Sequence, residues 1–211
     1  MKGLFITFEG ADGSGKTTQA QLLAAKLQEQ GYEVVLTREP GGTAVAEGIR
    51  QLVLDPEQPL NNTSQTLLYL AARSEHVEKL IAPALKAGKI VICDRFCDST
   101  MVYQGLSCGA TPGELERLQM LNDFATGGLS PHLTFVLDGD PQKLAARRSE
   151  RGVVDRYELQ GLDYQLKLRL GFWALAATEP QRMVVINADG DLEQVAAAIA
   201  ETVASRLQDV K

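Results

Sequence analysis

Short runs of consecutive apolar residues alternate along this chain with longer stretches in which apolar residues recur every three or four positions. The short runs are Leu4 to Phe8, Glu33 to Thr37, Lys89 to Cys93, Thr134 to Leu137 and Met183 to Ile186. They are mostly apolar throughout rather than alternating with polar residues, the pattern of strands covered on both faces. The stretch Lys16 to Gln30 carries Ala20, Leu23, Ala24 and Leu27 at i, i+3, i+4 and i+7, with Gly31 where a helix stops. Further helices are expected over Thr63 to Ala87, from Thr111-Pro112-Gly113-Glu114, from Asp140-Pro141, and over Tyr164 to Ala177. A last helix opens at Asp191 and is expected to turn Leu192, Val195, Ile199 and Leu207 inward. Strand, helix, strand in repeated order predicts a three-layer α/β domain over 1–211, with about five parallel strands and helices on both faces.

Composition narrows the partners. The 211 residues carry a formal net charge of -6, which disfavours a nucleic-acid polymer while leaving room for a local basic pocket. The three cysteines (Cys93, Cys97, Cys108) form no CxxC pair, and with only two histidines there is no metal-ligand spacing. They read as free thiols in a reducing compartment. The N-terminus lacks a signal-peptide pattern, and no run approaches the about 18 apolar residues of a membrane span. A cytoplasmic protein is expected.

The candidate chemistry begins at Gly10-Ala11-Asp12-Gly13-Ser14-Gly15-Lys16-Thr17, a full match to G-x-x-x-x-G-K-[ST] between a strand and a helix. Gly10, Gly13 and Gly15 let the backbone bend until successive N–H groups converge on phosphate oxygens, and the following helix adds its positive end. Lys16 would reach the β and γ phosphates, and Thr17 would offer its hydroxyl to Mg²⁺. Thr18 extends this ATP-binding set. A guanine-reading N-K-x-D is absent, which argues against a GTPase switch. Asp94 is followed by Arg95, a residue better suited to a second phosphate than to activating water. Phosphoryl transfer to a small molecule is the reading that remains.

Arg38-Glu39-Pro40-Gly41-Gly42-Thr43 after the second strand, and Asp94-Arg95-Phe96 after the third, resemble the thymidylate kinases, and the likeness spans nearly the whole chain. It implies the P-loop nucleoside monophosphate kinase fold, transfer from ATP to dTMP giving dTDP, Mg²⁺, and a homodimer. Glu9, Arg38 and Asp94-Arg95 sit at carboxyl ends of strands, where open α/β sheets bind ligands. Arg38 and Arg95 could fork onto the acceptor phosphate. By resemblance Glu9 holds the sugar 3′-hydroxyl or orients the magnesium shell, and Pro40, Asp94 and Ser99 belong to the acceptor site. Tyr69 and Arg73 stand four apart and share a helix face. The resemblance has the aromatic stack on thymine, with tyrosine here where phenylalanine is commoner. Arg73, which can only donate, would meet the O4 acceptor. Thr100 and Gln104 would meet the base edge and Tyr103 would crowd the sugar 2′ position. Taken alone, these residues fit equally a core aromatic, a surface arginine and an ordinary amphipathic turn.

A basic stretch, Arg147, Arg148, Arg151 and Arg156, reads as a lid over about 142–156. One branch of the family places an arginine inside the phosphate loop; this chain has Gly13 there, so Arg151 is assigned the neutralising role, with Arg147 and Arg156 beside it. Lys16, Glu9, Arg95 and Arg151 form the expected catalytic set, and an adenine loop is expected near Asn187 to Asp191. Two other readings remain open: a kinase for another small acceptor, or a non-catalytic P-loop module whose arginines do not share one pocket.

Overall fold

The computed structural model describes residues 3–149 and 160–209. Strand β1 (Leu4–Glu9) leads through the glycine-rich turn into α1 (Lys16–Glu29), and β2 (Val34–Arg38) follows. Helix α2 (Ala44–Leu54) precedes α3 (Asn62–His76), which continues through a π-helical stretch, Val77–Ile81, into α4 (Ala82–Lys86). After β3 (Ile90–Asp94), the short α5 (Cys97–Thr100) runs on through a second π-helical stretch, Met101–Gly105. Then come α6 (Pro112–Thr126), β4 (Leu133–Asp138), α7 (Pro141–Ser149), α8 (Leu162–Thr178), β5 (Met183–Asn187) and α9 (Leu192–Asp209).

The five strands form one parallel sheet in the order β2-β3-β1-β4-β5. Side chains of β1 alternate between the two faces. Leu4, Ile6 and Phe8 pack with α1 and α9, while Phe5 packs with Val77, Ile81 and Phe96 on the other side. Burying a side chain of this size stabilises the fold by about 2–3 kcal/mol, and Phe5, Phe8, Phe96, Phe135 and Phe172 are all fully buried. The two-sided cover expected from the apolar runs holds for the central strands β3, β1 and β4. The outer strands β2 and β5 have a neighbour on one side only, and Leu36 (42% exposed) and Val185 (45%) stay open to solvent.

Two expectations are corrected. Leu192, the first residue of α9, is half exposed; Val203 joins Val195, Ile199 and Leu207 in the core instead. Helix α2 was not expected. Thr43 caps it by accepting from the Ala46 N–H at 3.2 Å, and Val45, Ile49, Leu52 and Val53 recur at helical spacing, although only Ala46 and Val53 are buried. The capping box of α6 is as expected, with the Glu114 carboxylate accepting from the Thr111 N–H at 2.8 Å.

Register positions the site. Arg38 and Phe8 both stand opposite Asp94, so β2, β3 and β1 end together at one edge of the sheet. The Phe96 ring packs edge-on against Phe5 at 4.9 Å, which anchors the Asp94-Arg95-Phe96 turn to the core.

Candidate active site

The turn after β1 is shaped by its glycines. Gly10, Gly13 and Gly15 all have φ between 85° and 130°, a region closed to most side chains. A Cβ on Gly10 would lie 2.5 Å from the Leu137 carbonyl oxygen. Lys16 is buried at the start of α1, and its ammonium donates to the Ala11 carbonyl at 2.8 Å. Burial and the nearby Arg95 charge pull its pKa down to about 8, against the opposing pull of Asp12, Asp94 and Glu9. The buried Ser14 hydroxyl has no hydrogen-bond partner among the described residues. Thr17 donates its hydroxyl to Asp94 Oδ2 at 2.5 Å, while Asp94 Oδ1 is buried and unpartnered among the described residues.

Arg95 is the one non-glycine described residue with a positive φ, 72°. This backbone state is strained for a long side chain, and its neighbours hold it. The Arg95 N–H bonds the Phe8 carbonyl at 2.9 Å. The guanidinium donates to the Gly10 carbonyl (3.1 Å), Ser99 Oγ (3.1 Å) and Asp12 Oδ1 (2.5 Å), and lies 5.0 Å from the Tyr103 ring. Tyr103 in turn donates its hydroxyl to Asp12 Oδ2 at 3.2 Å. Burial works against the Asp12 charge, but Arg95 and Lys16 outweigh it and hold the pKa down to about 2. Thus Arg95 joins the phosphate loop to the β3 turn.

Glu9 lies beneath this layer. It is fully buried, and it accepts from the Phe96 N–H (2.7 Å), the Ser99 N–H (3.2 Å) and the Ser99 hydroxyl (2.6 Å). Burial, then the Asp98 charge, raises its pKa to about 7 despite Arg95. Its carboxylate therefore meets the cleft through Ser99.

Arg73 dominates the far wall. It is 3% exposed, and its guanidinium donates to Glu39 Oε2 (2.7 Å), Thr100 Oγ1 (2.9 Å), Asn122 Oδ1 (2.6 Å) and the Phe96 carbonyl (3.0 Å). Burial opposes this charge, and Glu39 outweighs the penalty and pushes the pKa up. Nearer solvent, Arg38 is half exposed and bonds both oxygens of Glu47, at 3.0 and 2.8 Å.

These walls enclose one cavity of about 380 Å³, a size suited to a small ligand. Asp12, Gly13, Gly15, Lys16 and Thr17 line one end. Arg38, Pro40, Tyr69, Arg73, Asp94, Arg95, Ser99, Thr100, Tyr103 and Gln104 line the rest. Every candidate acceptor residue except Glu9 is thus brought to one space. Gly10 and Ala11 face a smaller hollow behind the loop, and Ser14 is buried within the loop. Thr18 is half-buried one residue beyond the cavity lining. Arg147 lies elsewhere, donating to the Ala188 carbonyl at 3.1 Å, within the stretch expected to be the adenine loop. Arg151 and Arg156 lie outside the described residues.

Three lining residues were missed by sequence reasoning: Glu39, Arg50 and Leu54. Glu39 sits inside the distinctive hexapeptide, and His76, three residues after Arg73 and so on the same helix face, was its available signal. Arg50 and Leu54 belong to α2 and had no local signature.

Comparison with known proteins agrees with this geometry. The family model described as thymidylate kinase matches residues 8–199. A Synechococcus protein named thymidylate kinase is 50% identical over 206 residues, covering 97% of this chain and 96% of its own. An Exiguobacterium thymidylate kinase is 42% identical over 209 residues, covering 99% and 97%. The crystal structure of thymidylate kinase from Ehrlichia chaffeensis superposes with a TM-score of 0.79 at 38% identity, covering 97% of this chain and 99% of that one. A shared fold, a match across nearly the full length and an intact phosphate loop facing a buried arginine together show that the chain belongs to the thymidylate kinase family.

Proposed function

We propose that this cleft transfers the γ-phosphoryl group of ATP to thymidine monophosphate, giving thymidine diphosphate. The observation that carries the reading is one cavity lined at one end by the phosphate loop with Lys16 and at the other by Arg95, Tyr69 and Arg73. Two phosphate-binding devices facing one space suit a donor and an acceptor held in line.

The acceptor needs no strong base. A phosphate monoester has its second pKa near about 6, so it is largely a dianion at neutral pH and already nucleophilic. The protein supplies position and positive charge. Arg95 and Arg38 hold the acceptor phosphate, Lys16 and the loop N–H groups hold the donor, and Ser14 has a hydroxyl, unpartnered among the described residues, to offer an anion. Tyr69 stacks on the base, Arg73 donates to its O4, Thr100 and Gln104 flank its edge, and Tyr103 fills the space a ribose 2′-hydroxyl would need. Arg147 serves the donor from the Ala188 side. By the sequence argument, Arg151 completes the neutralising set from the 142–156 lid, and the whole 1–211 chain acts as one kinase domain.

A magnesium ion fits the residues present. The Thr17 hydroxyl and Asp94 stand 2.5 Å apart, and the second Asp94 oxygen is buried without a partner among the described residues. These two side chains would hold the ion, which when bound neutralises charge on the donor phosphates.

The homodimer expected for the family has a candidate face. Val45 and Leu52 on α2, Leu67 on α3, and Met120, Leu121 and Phe124 on α6 are all exposed, Phe124 to 88%. Apolar exposure on this scale marks an interaction surface, and Phe124→Glu should convert a sedimenting dimer to monomer. Among the described residues no helix is long and apolar enough to cross a membrane. With three free cysteines, a reducing cytoplasmic setting suits the chain.

The test is an acceptor panel with ATP, read as ADP released. Thymidine monophosphate should be turned over far faster than cytidine or deoxycytidine monophosphate. Equal rates for the thymidine and deoxycytidine compounds would overturn the base assignment, and no turnover of any acceptor would overturn the kinase reading.

A further inference from the structure

Beneath the wall of the acceptor end lies a buried relay that the phosphoryl transfer does not use. The Glu39 carboxylate is 5% exposed and is shared between two partners on α3. Oε2 accepts from Arg73 Nε at 2.7 Å, and Oε1 accepts from His76 Nδ1 at 3.1 Å. His76 is fully buried, and its Nε2 meets the Thr37 hydroxyl at 2.8 Å. The turn above seals this contact. At Gly42, with φ +86°, a Cβ would fall 2.4 Å from His76 Nε2 and 2.7 Å from Thr37 Oγ1. Glu47 ties the same turn from outside by accepting from the Gly42 N–H at 3.1 Å.

The donor count on Arg73 shows what the relay achieves. A guanidinium has five N–H bonds. The single Nε hydrogen goes to Glu39, both Nη1 hydrogens go to Thr100 and Asn122, and one Nη2 hydrogen goes to the Phe96 carbonyl. Among the described residues one Nη2 hydrogen finds no partner, on a residue that lines the cavity. The planar fork is fixed at its Nε edge by a carboxylate that is itself fixed by His76.

We propose that Glu39 is a positioning residue for base recognition: held by His76, it fixes Arg73 so that one remaining Nη2 hydrogen is presented to a keto oxygen of the acceptor base. This rests on the reading that Arg73 faces that base. A fixed lone donor favours a carbonyl acceptor and leaves an amino group opposed to an N–H, so the relay sets keto over amino selectivity.

The experiment measures steady-state kinetics of the full chain with ATP and either thymidine or deoxycytidine monophosphate. Glu39→Gln keeps the shape and removes the charge that grips Nε. It should raise the KM for thymidine monophosphate about tenfold and lower its kcat/KM advantage over deoxycytidine monophosphate about tenfold, with the KM for ATP moving far less. His76→Gln, which loosens Glu39 from behind, should move the same ratio in the same direction by less; it also serves if Glu39→Gln does not fold. A merely structural role would lower the melting temperature and degrade both substrates' constants together, leaving the acceptor ratio unchanged, and that result overturns the proposal. Arg73→Ala separates the two levels. If it collapses the ratio while Glu39→Gln and His76→Gln do not, the positioning role fails and base reading by Arg73 stands. If none of the three changes the ratio, base reading by Arg73 fails with it.

Discussion

At the donor end of the cleft the ligand surface is main chain; at the acceptor end it is side chain. Gly10 to Gly15 present backbone N–H groups through a turn that three positive-φ glycines permit, and the lysine that completes it rests on the loop's own Ala11 carbonyl. That single bond is readily exchanged for a phosphate oxygen, and the Lys16 pKa, pulled down to about 8, would recover once an anion sits beside it. The acceptor end has no such slack. Arg73 and Arg95 each make several charge-assisted hydrogen bonds to groups that are held in turn. The difference matches the two tasks. Any triphosphate chain is recognised by a cradle of N–H groups, whereas one base among several must be told apart by donors fixed in place.

Substitutions that strike the two ends differently test this contrast. The largest effect is expected at Arg95, which ties the ends together through Asp12 and Ser99. Arg95→Ala should lower kcat/KM by roughly 10³–10⁵-fold, as for other arginines that neutralise a transferring phosphoryl. A loss below tenfold would remove it from the reaction.

Arg73→Met comes next, and its effect is on stability as well as binding. It leaves the buried Glu39 carboxylate with His76 as its one partner among the described residues, which should cost about 3–5 kcal/mol by urea denaturation. A change within about 1 kcal/mol would mean that the buried Arg73–Glu39 pair does not hold the acceptor wall.

Glu9 separates the layer beneath the cleft from the cleft itself. Its folded pKa is raised from 4.5 to about 7, so between those values the folded chain keeps a proton that the unfolded chain has released. Its stability contribution is full below pH 4.5 and fades as pH rises through about 7, by about 3 kcal/mol in all. Glu9→Gln lacks this term. Its stability relative to the parent should rise between pH 5 and 8, and parallel curves across that range would contradict the shift.

The smallest effect is expected at the rim. Glu47→Ala releases the half-exposed Arg38, and surface pairs of this kind contribute about 0–1 kcal/mol. A stability loss well above that would show that the hexapeptide turn depends on Glu47 through the Gly42 N–H.

How far the chain could be read without its coordinates follows the same division. The phosphate loop was fully legible, because main-chain binding needs glycines at fixed spacing and leaves a linear motif. The parallel sheet was legible from its apolar runs, and the cleft's place followed from strand ends. The side-chain network was legible only in part. Arg73 and Tyr69 stood out by their four-residue spacing, yet Glu39 and Asn122 reach Arg73 across 34 and 49 residues of chain, and no local pattern announces such pairs. Helix α2 carries a helical repeat, Val45, Ile49, Leu52 and Val53, that was passed over behind the hexapeptide, and Arg50 was missed with it. The burial of Glu9 beneath Ser99 came from the path of the turn after β3, which a linear reading does not supply.

The most direct test of the central claim, that one cleft holds both phosphates, is a crystal structure with thymidine monophosphate and a non-hydrolysable ATP analogue bound. The Lys16 ammonium should leave the Ala11 carbonyl for the donor phosphates, with Arg95 bonded to the acceptor phosphate and the thymine against Tyr69 and Arg73. A monophosphate bound outside this cavity, or an Arg95 that touches neither phosphate, would contradict the account.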